Sequence, residues 1–320
     1  MTASFFSLVH DSISSVETLI KSQADGNDPD LGAAISLLLS SGGKRIRPTV
    51  TILVGKMLGA PDNKLITIAA AIEMLHTATL VHDDLIDGSL LRRGTPTLNS
   101  QWTPAATVLT GDFIFARAAK LASDTDSIPL MKVFSQTLTT IVNGEITQLF
   151  ASRCSPNRDG YFRRIYAKTA SLFETSAITA AMISPVDASV VEKIRQYGYG
   201  IGVAFQIVDD ILDFTGKQTT IGKPVGSDLR QGIITLPVIN YIESHPGDPI
   251  VKQLSSGNCL NDMEAEQLID AIRNSQAIHK SLDEACLFVK NGLEGLEDLP
   301  EGNYKHALQD LAAYIINRKL

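Results

Sequence analysis

The sequence predicts an all-α protein built as one helical bundle. Long stretches repeat apolar residues at helical spacing, and alternating strand-like runs flanked by hairpin turns are lacking. The 320 residues are 44% hydrophobic and 20% charged, which is typical of a globular chain with a large core. No linker rich in Pro, Ser or Gly and no change in composition divides the chain, so we expect a single domain over residues 1–320.

The helical pattern recurs in segments whose ends such a pattern locates to within a few residues. Pro48 suits a first helical turn, whereas Pro185 and Pro224 fall in breaks between segments. The predicted helices are Asp30 to Ser40, Pro48 to Leu58, Asn63 to Asp87, Pro104 to Ala122, Ile128 to Phe150, Arg158 to Ile183, Asp187 to Phe214, Leu229 to Glu243, Asp262 to Asn291 and Gly302 to Asn317.

The predicted helix from Asn63 to Asp87 is apolar nearly all round, which indicates a central helix surrounded by others. Its polar residues follow spacings of three, four and four and form one stripe, and the helix from Asp187 carries a similar stripe. The stripes are His76, Thr79, Asp83 and Asp87 on the first helix and Gln206, Asp209 and Asp213 on the second. Facing polar stripes inside a bundle are a known way to build a metal site.

Two acidic motifs of one pattern occupy these helices. The motifs are Asp83-Asp84-Leu85-Ile86-Asp87 and Asp209-Asp210-Ile211-Leu212-Asp213. A single copy is most often a solvated helix end, but both copies interrupt apolar runs, and buried charge has to be compensated. Six carboxylates in an apolar cleft stay ionised only if cations neutralise them. Oxygen ligands favour Mg²⁺, which completes its shell with water and phosphate oxygens, so the pattern predicts a bound diphosphate.

Cationic side chains for a diphosphate lie in three clusters. The clusters are Gly42-Gly43-Lys44-Arg45-Ile46-Arg47-Pro48, Arg92-Arg93-Gly94, and Lys168-Thr169 together with Lys223. Each alone is more often a solvated surface, and their common position relative to the aspartate motifs favours a functional role. The first cluster precedes a helix start, which favours anions, and it is not a P-loop. Lys223 lies in a glycine-containing loop, Thr215 to Asp228, that we expect to close over phosphate.

The composition also excludes classes of protein. A formal net charge of −7 argues against nonspecific nucleic-acid binding. No Lys or Arg precedes Lys21, so the start resembles neither a secretory signal nor a transit peptide, and no apolar run approaches the length of a membrane span. Cys154, Cys259 and Cys286 fit no zinc or redox pattern and are interpreted as reduced thiols. We therefore expect a cytoplasmic protein.

In their order along the chain, these motifs resemble those of the trans-isoprenyl diphosphate synthases, also called polyprenyl synthetases. The likeness runs from about Ser41 to Ile242. Its blocks are Gly42 to Pro48, His76, Asp83 to Asp87 followed by Arg92-Arg93-Gly94, Gly111-Asp112, Gly144-Glu145 with Gln148, Lys168-Thr169, and Phe205-Gln206 before Asp209 to Asp213.

The resemblance implies an isoprenoid synthase fold around a deep cavity, usually in a homodimer, in which an allylic diphosphate condenses with isopentenyl diphosphate. It implies that Mg²⁺ on the allylic diphosphate is held by Asp83, Asp84, Asp87, Asp209, Asp210 and Asp213. The residues expected to contact that diphosphate are Arg92, Lys168, Thr169, Gln206 and Lys223. Those expected to hold isopentenyl diphosphate are Lys44, Arg47, His76 and Arg93. The expected catalytic residues are Asp83, Asp84, Asp87, Arg92, Lys168, Asp209 and Asp210.

In this family, the residues four and five before the first aspartate shape the hole for the growing tail. Here they are Thr79 and Ala78, and neither is an aromatic plug, which argues against a fifteen-carbon product. A deeper residue must then form the floor, and Phe134 is one candidate. The resemblance favours a long-chain all-trans product, the precursor of a quinone tail, and such a lipid could bring the protein into peripheral contact with a membrane.

Several alternatives stay open at this point. A short-chain synthase making farnesyl or geranylgeranyl diphosphate and the catalytic half of a two-component synthase share these motifs. A noncatalytic subunit is disfavoured because such subunits tend to lose aspartates or basic pairs, and Arg92-Arg93 is intact here. A terpene cyclase also uses aspartates and Mg²⁺, but it would not need a second diphosphate pocket made by Lys44, Arg47, His76 and Arg93.

Overall fold

The computed structural model describes residues 4–26, 29–40, 43–92, 94–151, 153–216 and 224–318. Helices dominate this part of the chain, and its only strands are β1 (Leu91–Arg92) and β2 (Thr95–Pro96), which pair as an antiparallel hairpin. The all-α fold predicted from the sequence is confirmed.

The described helices are numbered here in chain order. In chain order they are α1 Ser4–Leu8, α2 His10–Ser22, α3 Pro29–Ser40, α4 Ile46–Leu58, α5 Asp62–Ile86, α6 Leu98–Gln101, α7 Pro104–Ser123, α8 Ile128–Phe150, α9 Arg158–Ile165, a π-helical turn Tyr166–Ala170, α10 Ser171–Met182, α11 Ala188–Thr215, α12 Ser227–Arg230, α13 Leu236–Ser244, α14 Pro249–Ser255, α15 Asp262–Arg273, α16 Ala277–Glu294 and α17 Asn303–Ile316.

The chain divides into two compact units. The first unit is Met1–Thr137, Leu172–Gly198 and Gly295–Leu311, and the second unit is Leu138–Ser171, Tyr199–Glu294 and Ala312–Leu320. The first aspartate motif lies in the first unit and the second motif lies in the second unit. One domain over residues 1–320 stays a prediction.

Helix α5 is the central helix of the first unit, where it packs against α2, α4 and α7. Leu65, Ile68 and Ile72 follow helical spacing and are fully buried. Burying an aliphatic side chain of this size stabilises the fold by about 1.5–3 kcal/mol. The helix ends at Ile86, and two residues later Gly88 has a φ of +63°, a left-handed conformation that glycine adopts without strain.

Helix α5 also corrects an expectation about apolar runs. Its most apolar 18-residue window has a mean hydropathy of 1.5, so the helix is long and apolar enough to cross a bilayer. That window is 61% buried inside the protein, which is the pattern of a core helix. No other helix in the described ranges meets the same criteria of length and composition.

The segment predicted as one helix over 158–183 is interrupted by the π-helical turn between α9 and α10. A π turn adds a residue to the helical repeat and so changes the face on which the following side chains lie. Periodicity averaged over a long segment does not reveal such a local change. Lys168 and Thr169 both lie in this turn, and π turns are frequent at functional sites.

Two other predicted helices are each two helices. The segment 229–243 breaks between α12 and α13, where Gly232 has a φ of +76°. The segment 262–291 breaks before α16, where Ser275 Oγ accepts the Ala277 N–H at 3.1 Å. Four helices are absent from the prediction. Helices α1, α6 and α14 are too short to show a helical pattern, and α2 is largely polar.

Cys154 and Cys259 form a disulfide within the second unit, which corrects the interpretation of all three cysteines as reduced thiols. Their Cα atoms lie 5.2 Å apart although 105 positions separate them in the sequence, and spacing along a chain does not reveal such a pair. The Cys154 N–H also donates to the Gly232 carbonyl at 2.8 Å. The disulfide therefore joins the loops that follow α8 and precede α15, beside the loop after α12. Cys286 is an exposed free thiol.

We expect reduction of this disulfide to lower the free energy of unfolding by about 2–4 kcal/mol, because the cross-link restricts the unfolded chain. Thermal unfolding with and without reductant, together with a count of free thiols, measures the effect. Cys154→Ser should reproduce the loss, and Cys286→Ser should leave it unchanged. A melting temperature that does not change when two further thiols become titratable would contradict the prediction.

Candidate functional site

The first aspartate motif forms the end of α5. Asp84 is buried, Asp83 is half-buried and Asp87 is exposed at the C-cap. Asp83 and Asp87 are four residues apart and therefore share one face of the helix. A cation can approach this pair from the solvent, whereas the buried carboxylate of Asp84 needs a partner inside the protein.

That partner is Arg92 on β1. Its Nε lies 3.0 and 2.9 Å from the two carboxylate oxygens of Asp84, and its Nη2 lies 2.8 Å from Oδ1. The β1–β2 hairpin brings Arg92 back to the end of α5, and Gly94 in its turn has a φ of +80°. The structure thus brings together two predicted site residues in a charge-assisted contact. Arg93 lies outside the described residues.

The basic turn, Lys44 to Arg47, leads into the first residues of α4 and contributes a second contact between predicted residues. Arg47 Nη1 lies 3.2 Å from His76 Nε2 on α5, and its guanidinium lies 4.7 Å from the centre of the Phe173 ring. Lys44 is exposed just before α4 begins. Gly42, the first residue of the motif, lies outside the described residues.

In the second motif, Asp210 is buried in a chain of hydrogen bonds. Tyr161 Oη donates to Asp210 Oδ2 at 2.7 Å, and Gln206 Nε2 donates to Oδ1 at 2.8 Å. Thr169 Oγ1 in turn donates to Gln206 Oε1 at 2.6 Å. Burial and the negative charge of Asp228 raise the pKa of Asp210 to about 8, against the opposing effect of the two donors. Burial and Asp210 raise the pKa of Tyr161, so its hydroxyl stays protonated.

Asp209, the first residue of the same motif, pairs with a residue close to the C-terminal end. Arg318 Nη1 donates to Asp209 Oδ1 at 2.9 Å, and Nη2 donates to the Phe205 carbonyl at 2.8 Å. The guanidinium also lies 3.8 Å from the centre of the Phe205 ring. These contacts fix one oxygen of Asp209 by a cation of the protein itself.

Asp213, the last residue of the motif, accepts hydrogen bonds from the backbone. The Ser227 N–H lies 3.1 Å from its Oδ1, and the Asp228 N–H lies 3.2 Å from its Oδ2. The preceding residue, Gly226, has a φ of +67°, and its N–H donates to the Asp213 carbonyl at 2.8 Å. The three aspartates are therefore held in three different ways.

Lys168 in the π-helical turn pairs with Glu145, for which the sequence predicted no role. Its Nζ lies 2.9 Å from Glu145 Oε1 on α8. The two elements approach so closely that a Cβ at Gly144 would lie 2.5 Å from the Cβ of Ala167. Only glycine fits there, and the close approach allows the ion pair. Lys223, the other lysine predicted for this site, lies outside the described residues.

The donors of both motifs fit a hard divalent cation, because they are carboxylate oxygens. Within the described ranges, no three carboxylate, imidazole or thiol groups converge on one point. Mg²⁺ is commonly held by one or two carboxylates and completes its shell with water and phosphate oxygens, so it does not require three protein ligands at one point.

The residues predicted to set product length all lie in the first unit. Ala78 is fully buried on α5, and Phe134 on α8 is almost fully buried. Thr79 is half-buried, and its Oγ1 donates to the His76 carbonyl of the same helix at 2.7 Å. The role of Ala78 and Thr79 in setting product length stays a prediction.

Two residues whose side chains hydrogen-bond to the second motif, Tyr161 and Arg318, were missed in the sequence. Buried tyrosines usually have a hydrogen-bond partner, but the burial of Tyr161 is known only from the structure. Nothing in the sequence identified Asp210 as that partner. Arg318 lies 109 positions beyond Asp209, and a single terminal arginine carries no signal of such a contact.

Comparison with known proteins gives a consistent result. A family model described as polyprenyl synthetase matches residues 28–272. Heptaprenyl diphosphate synthase component 2 of Bacillus subtilis is 34% identical over 316 residues, 98% of this chain and 90% of the relative. Octaprenyl diphosphate synthase of Haemophilus influenzae is 34% identical over 307 residues, 93% of this chain and 92% of the relative.

A solved structure resembles the whole fold. A polyprenyl synthase from Caulobacter crescentus, complexed with calcium and isoprenyl diphosphate, matches with a TM-score of 0.90 and 32% identity. The match covers 99% of this chain and 97% of that chain. The family resemblance and the fold class inferred from the sequence are confirmed.

The sequence predicts that Asp210 holds Mg²⁺, and on that prediction we expect Tyr161→Phe to weaken the binding of Mg²⁺ about tenfold, because groups that orient a metal ligand typically change metal affinity by this order. In this variant, Gln206 is the remaining side-chain donor described above for Asp210. The ionised form of Asp210 is then less stable than in the wild type, because it has lost one hydrogen bond. Thermal unfolding across a Mg²⁺ titration yields the dissociation constant, since a ligand of the native state raises its stability.

Tyr197→Phe is the matched control for this measurement. The Tyr197 hydroxyl is also buried, and it donates at 2.8 Å to the Leu308 carbonyl rather than to a carboxylate. Its loss should lower the melting temperature without changing the dependence on Mg²⁺. The same Mg²⁺ dependence in Tyr161→Phe and in the wild type would show that Tyr161 does not support the metal site.

Proposed function

Because the chain is a prenyltransferase that belongs to the polyprenyl synthetase family, we propose that it condenses an allylic diphosphate with successive molecules of isopentenyl diphosphate. The proposed product is a long all-trans polyprenyl diphosphate. The observation that carries it is that the sequence holds two complete aspartate motifs and two separate sets of cationic side chains. One set of cations suffices to ionise a single allylic diphosphate. Condensation of two diphosphate substrates, with release of one diphosphate, requires a second set to hold the other substrate.

In this proposal, the allylic diphosphate is bound through Mg²⁺ and through side chains that the structure holds in place. Arg92 and Lys168 supply fixed positive charge, each already oriented by a carboxylate. Thr169 and Gln206 form the polar surface beside Asp210. The proposed Mg²⁺ ligands are Asp83, Asp84, Asp87, Asp209, Asp210 and Asp213, and Lys223 is proposed as a further contact to the diphosphate.

Isopentenyl diphosphate is assigned to the basic turn and its neighbours. Arg47 and His76 are in contact, and exposed Lys44 lies just before α4. Arg93 completes the proposed set. Arginine is suited to this role because its planar fork of donors matches phosphate oxygens, whereas lysine contributes a point charge.

The reaction needs no protein nucleophile. Bound Mg²⁺ supplies neutralisation of the charge that builds on the departing diphosphate. Arg92 and Lys168 stabilise the same charge, so the allylic carbon–oxygen bond breaks and its electron pair leaves with the diphosphate. The double bond of isopentenyl diphosphate then attacks the allylic cation. In this proposal, the proton lost from the adduct passes to the departed diphosphate, which acts as the base.

The proposal also includes the oligomeric state, the domain number and the location of the enzyme. We assign it a homodimer, one catalytic domain over residues 1–320 and a cytoplasmic location. Contact with a membrane is peripheral and arises through the lipid product. No nucleic-acid partner is included, in keeping with the net charge of −7.

The proposal is tested with the purified chain, Mg²⁺, labelled isopentenyl diphosphate and farnesyl diphosphate. We expect a ladder of products that ends well beyond geranylgeranyl diphosphate, because small residues at positions 78 and 79 leave room for the tail. Chromatography of the dephosphorylated products measures their length. A product that stops at farnesyl or geranylgeranyl length would contradict the long-chain assignment.

A second candidate function is the catalytic component of a two-component synthase. It is favoured by one observation, the 34% identity to a relative named as component 2 of such an enzyme. The same assay separates the two, since a self-sufficient enzyme forms product alone. Product that forms only after addition of a separate partner protein would support the two-component function.

Replacing Ala78 with Phe should shorten the longest product while the first condensation continues. Ala78 is fully buried on α5. The proposal places it at the edge of the space for the tail, which the ring of Phe would then occupy. Product length and initial rate are compared with those of the wild type, and Ala78→Ser, which adds a single atom, is the control. An unchanged product distribution in a folded Ala78→Phe protein would exclude this part of the channel.

A further inference from the structure

The basic turn holds three cations in different surroundings. Lys44 is exposed, and Arg47 contacts His76. The side chain of Arg45 is only 13% exposed, and it bridges two carboxylates. Its Nε donates to Glu17 on α2 at 3.0 Å, and its Nη1 donates to Glu73 on α5 at 2.8 Å. The charge of Arg45 is therefore compensated inside the protein.

The backbone at Arg45 is also unusual. Its φ of 46° and ψ of 38° are left-handed, and it forms the N-cap of α4, where its carbonyl accepts the Thr49 N–H at 3.0 Å. A left-handed conformation is unfavourable for a residue with a Cβ and persists where the surroundings hold it. The left-handed conformation of Arg45 sets the direction in which the chain enters α4, and so fixes where Lys44 and Arg47 lie.

Two contacts tie the start of α4 to α5. Arg45 pairs with Glu73, and Arg47 contacts His76, three residues further along the same helix. Residues three apart lie on one face of a helix, so the two contacts are neighbours. Glu73 is itself buried, and withdrawing Arg45 would leave a buried charge without its partner, which is strongly unfavourable.

We propose that Arg45 is a positioning residue for isopentenyl diphosphate, which acts by holding Lys44 and Arg47 and does not itself contact the phosphates. The proposal rests on the function proposed above. The bridge to Glu17 and Glu73 consumes the hydrogen-bonding capacity of two Arg45 nitrogens and keeps the guanidinium inside the first unit. The basic turn thus presents two cations to substrate and uses the third to keep its shape.

Arg45→Lys is the principal variant, because it keeps the charge but a single ammonium cannot reproduce the planar bridge between two carboxylates. We expect the KM for isopentenyl diphosphate to rise about tenfold, with the KM for the allylic diphosphate unchanged and kcat within about twofold, since small misplacements of binding groups have effects of this order. Glu17→Gln removes one side of the bridge at a partly exposed glutamate and should raise the same KM about threefold.

Arg158→Lys is the matched control. Arg158 likewise bridges two glutamates, Glu243 and Glu284, but it lies in the second unit and is not assigned to either substrate. This variant should lower the melting temperature and leave both KM values unchanged. The comparison separates loss of stability from loss of positioning.

Each outcome has a distinct meaning. A lower melting temperature in Arg45→Lys and Glu17→Gln with unchanged KM values would reduce Arg45 to a purely structural role and overturn the proposal. Tighter binding of isopentenyl diphosphate in Glu17→Gln would show that Arg45, once released, contacts the phosphates, and would also overturn it. If Arg45→Lys does not fold, Glu17→Gln alone decides the matter. Absence of condensation by the wild type, both alone and after addition of a separate partner protein, would instead refute the proposed function and, with it, this inference.

Discussion

Compensation of buried carboxylates is the constraint on which the rest of this structure depends. Each motif places one aspartate in the interior, and an uncompensated charge there is strongly destabilising. The two interior groups are treated differently. Asp84 receives the guanidinium of Arg92, whereas Asp210 receives neutral donors from Tyr161 and Gln206, and its ionisation is disfavoured. The carboxylate of Asp84 is therefore already neutralised by an ion pair. The ionised form of Asp210 has only neutral side-chain donors, so a bound cation would stabilise it more.

The helices that form the core also carry the residues of the candidate site. Helix α5 is buried along most of its length and carries the first motif at its end, so the packing that stabilises the first unit also fixes the position of the carboxylates. In the second unit, the close approach at Gly144 and the π-helical turn orient Lys168. Binding groups that sit on packed helices need little reordering when substrate arrives, which lowers the entropic cost of binding.

The sequence predicted the long elements well and the local events poorly. Helices α3, α5, α7 and α8 begin and end within one residue of their predicted limits, because a long apolar pattern is governed by burial. The π-helical turn and the breaks at Gly232 and Ser275 depend on a few residues that such a pattern averages away. At the site, the motifs identified the aspartates and basic residues, but partners such as Arg318 are set by how distant segments pack, which spacing within one segment does not encode.

The disulfide between Cys154 and Cys259 has a consequence for the denatured protein. Because the bond spans 105 positions, an unfolded chain that keeps it contains a closed covalent ring in place of that length of open coil. Such a ring stays more compact and hides part of its surface from solvent. The slope of unfolding free energy against denaturant concentration scales with the surface exposed, so the oxidised protein unfolds with a shallower slope than the reduced one.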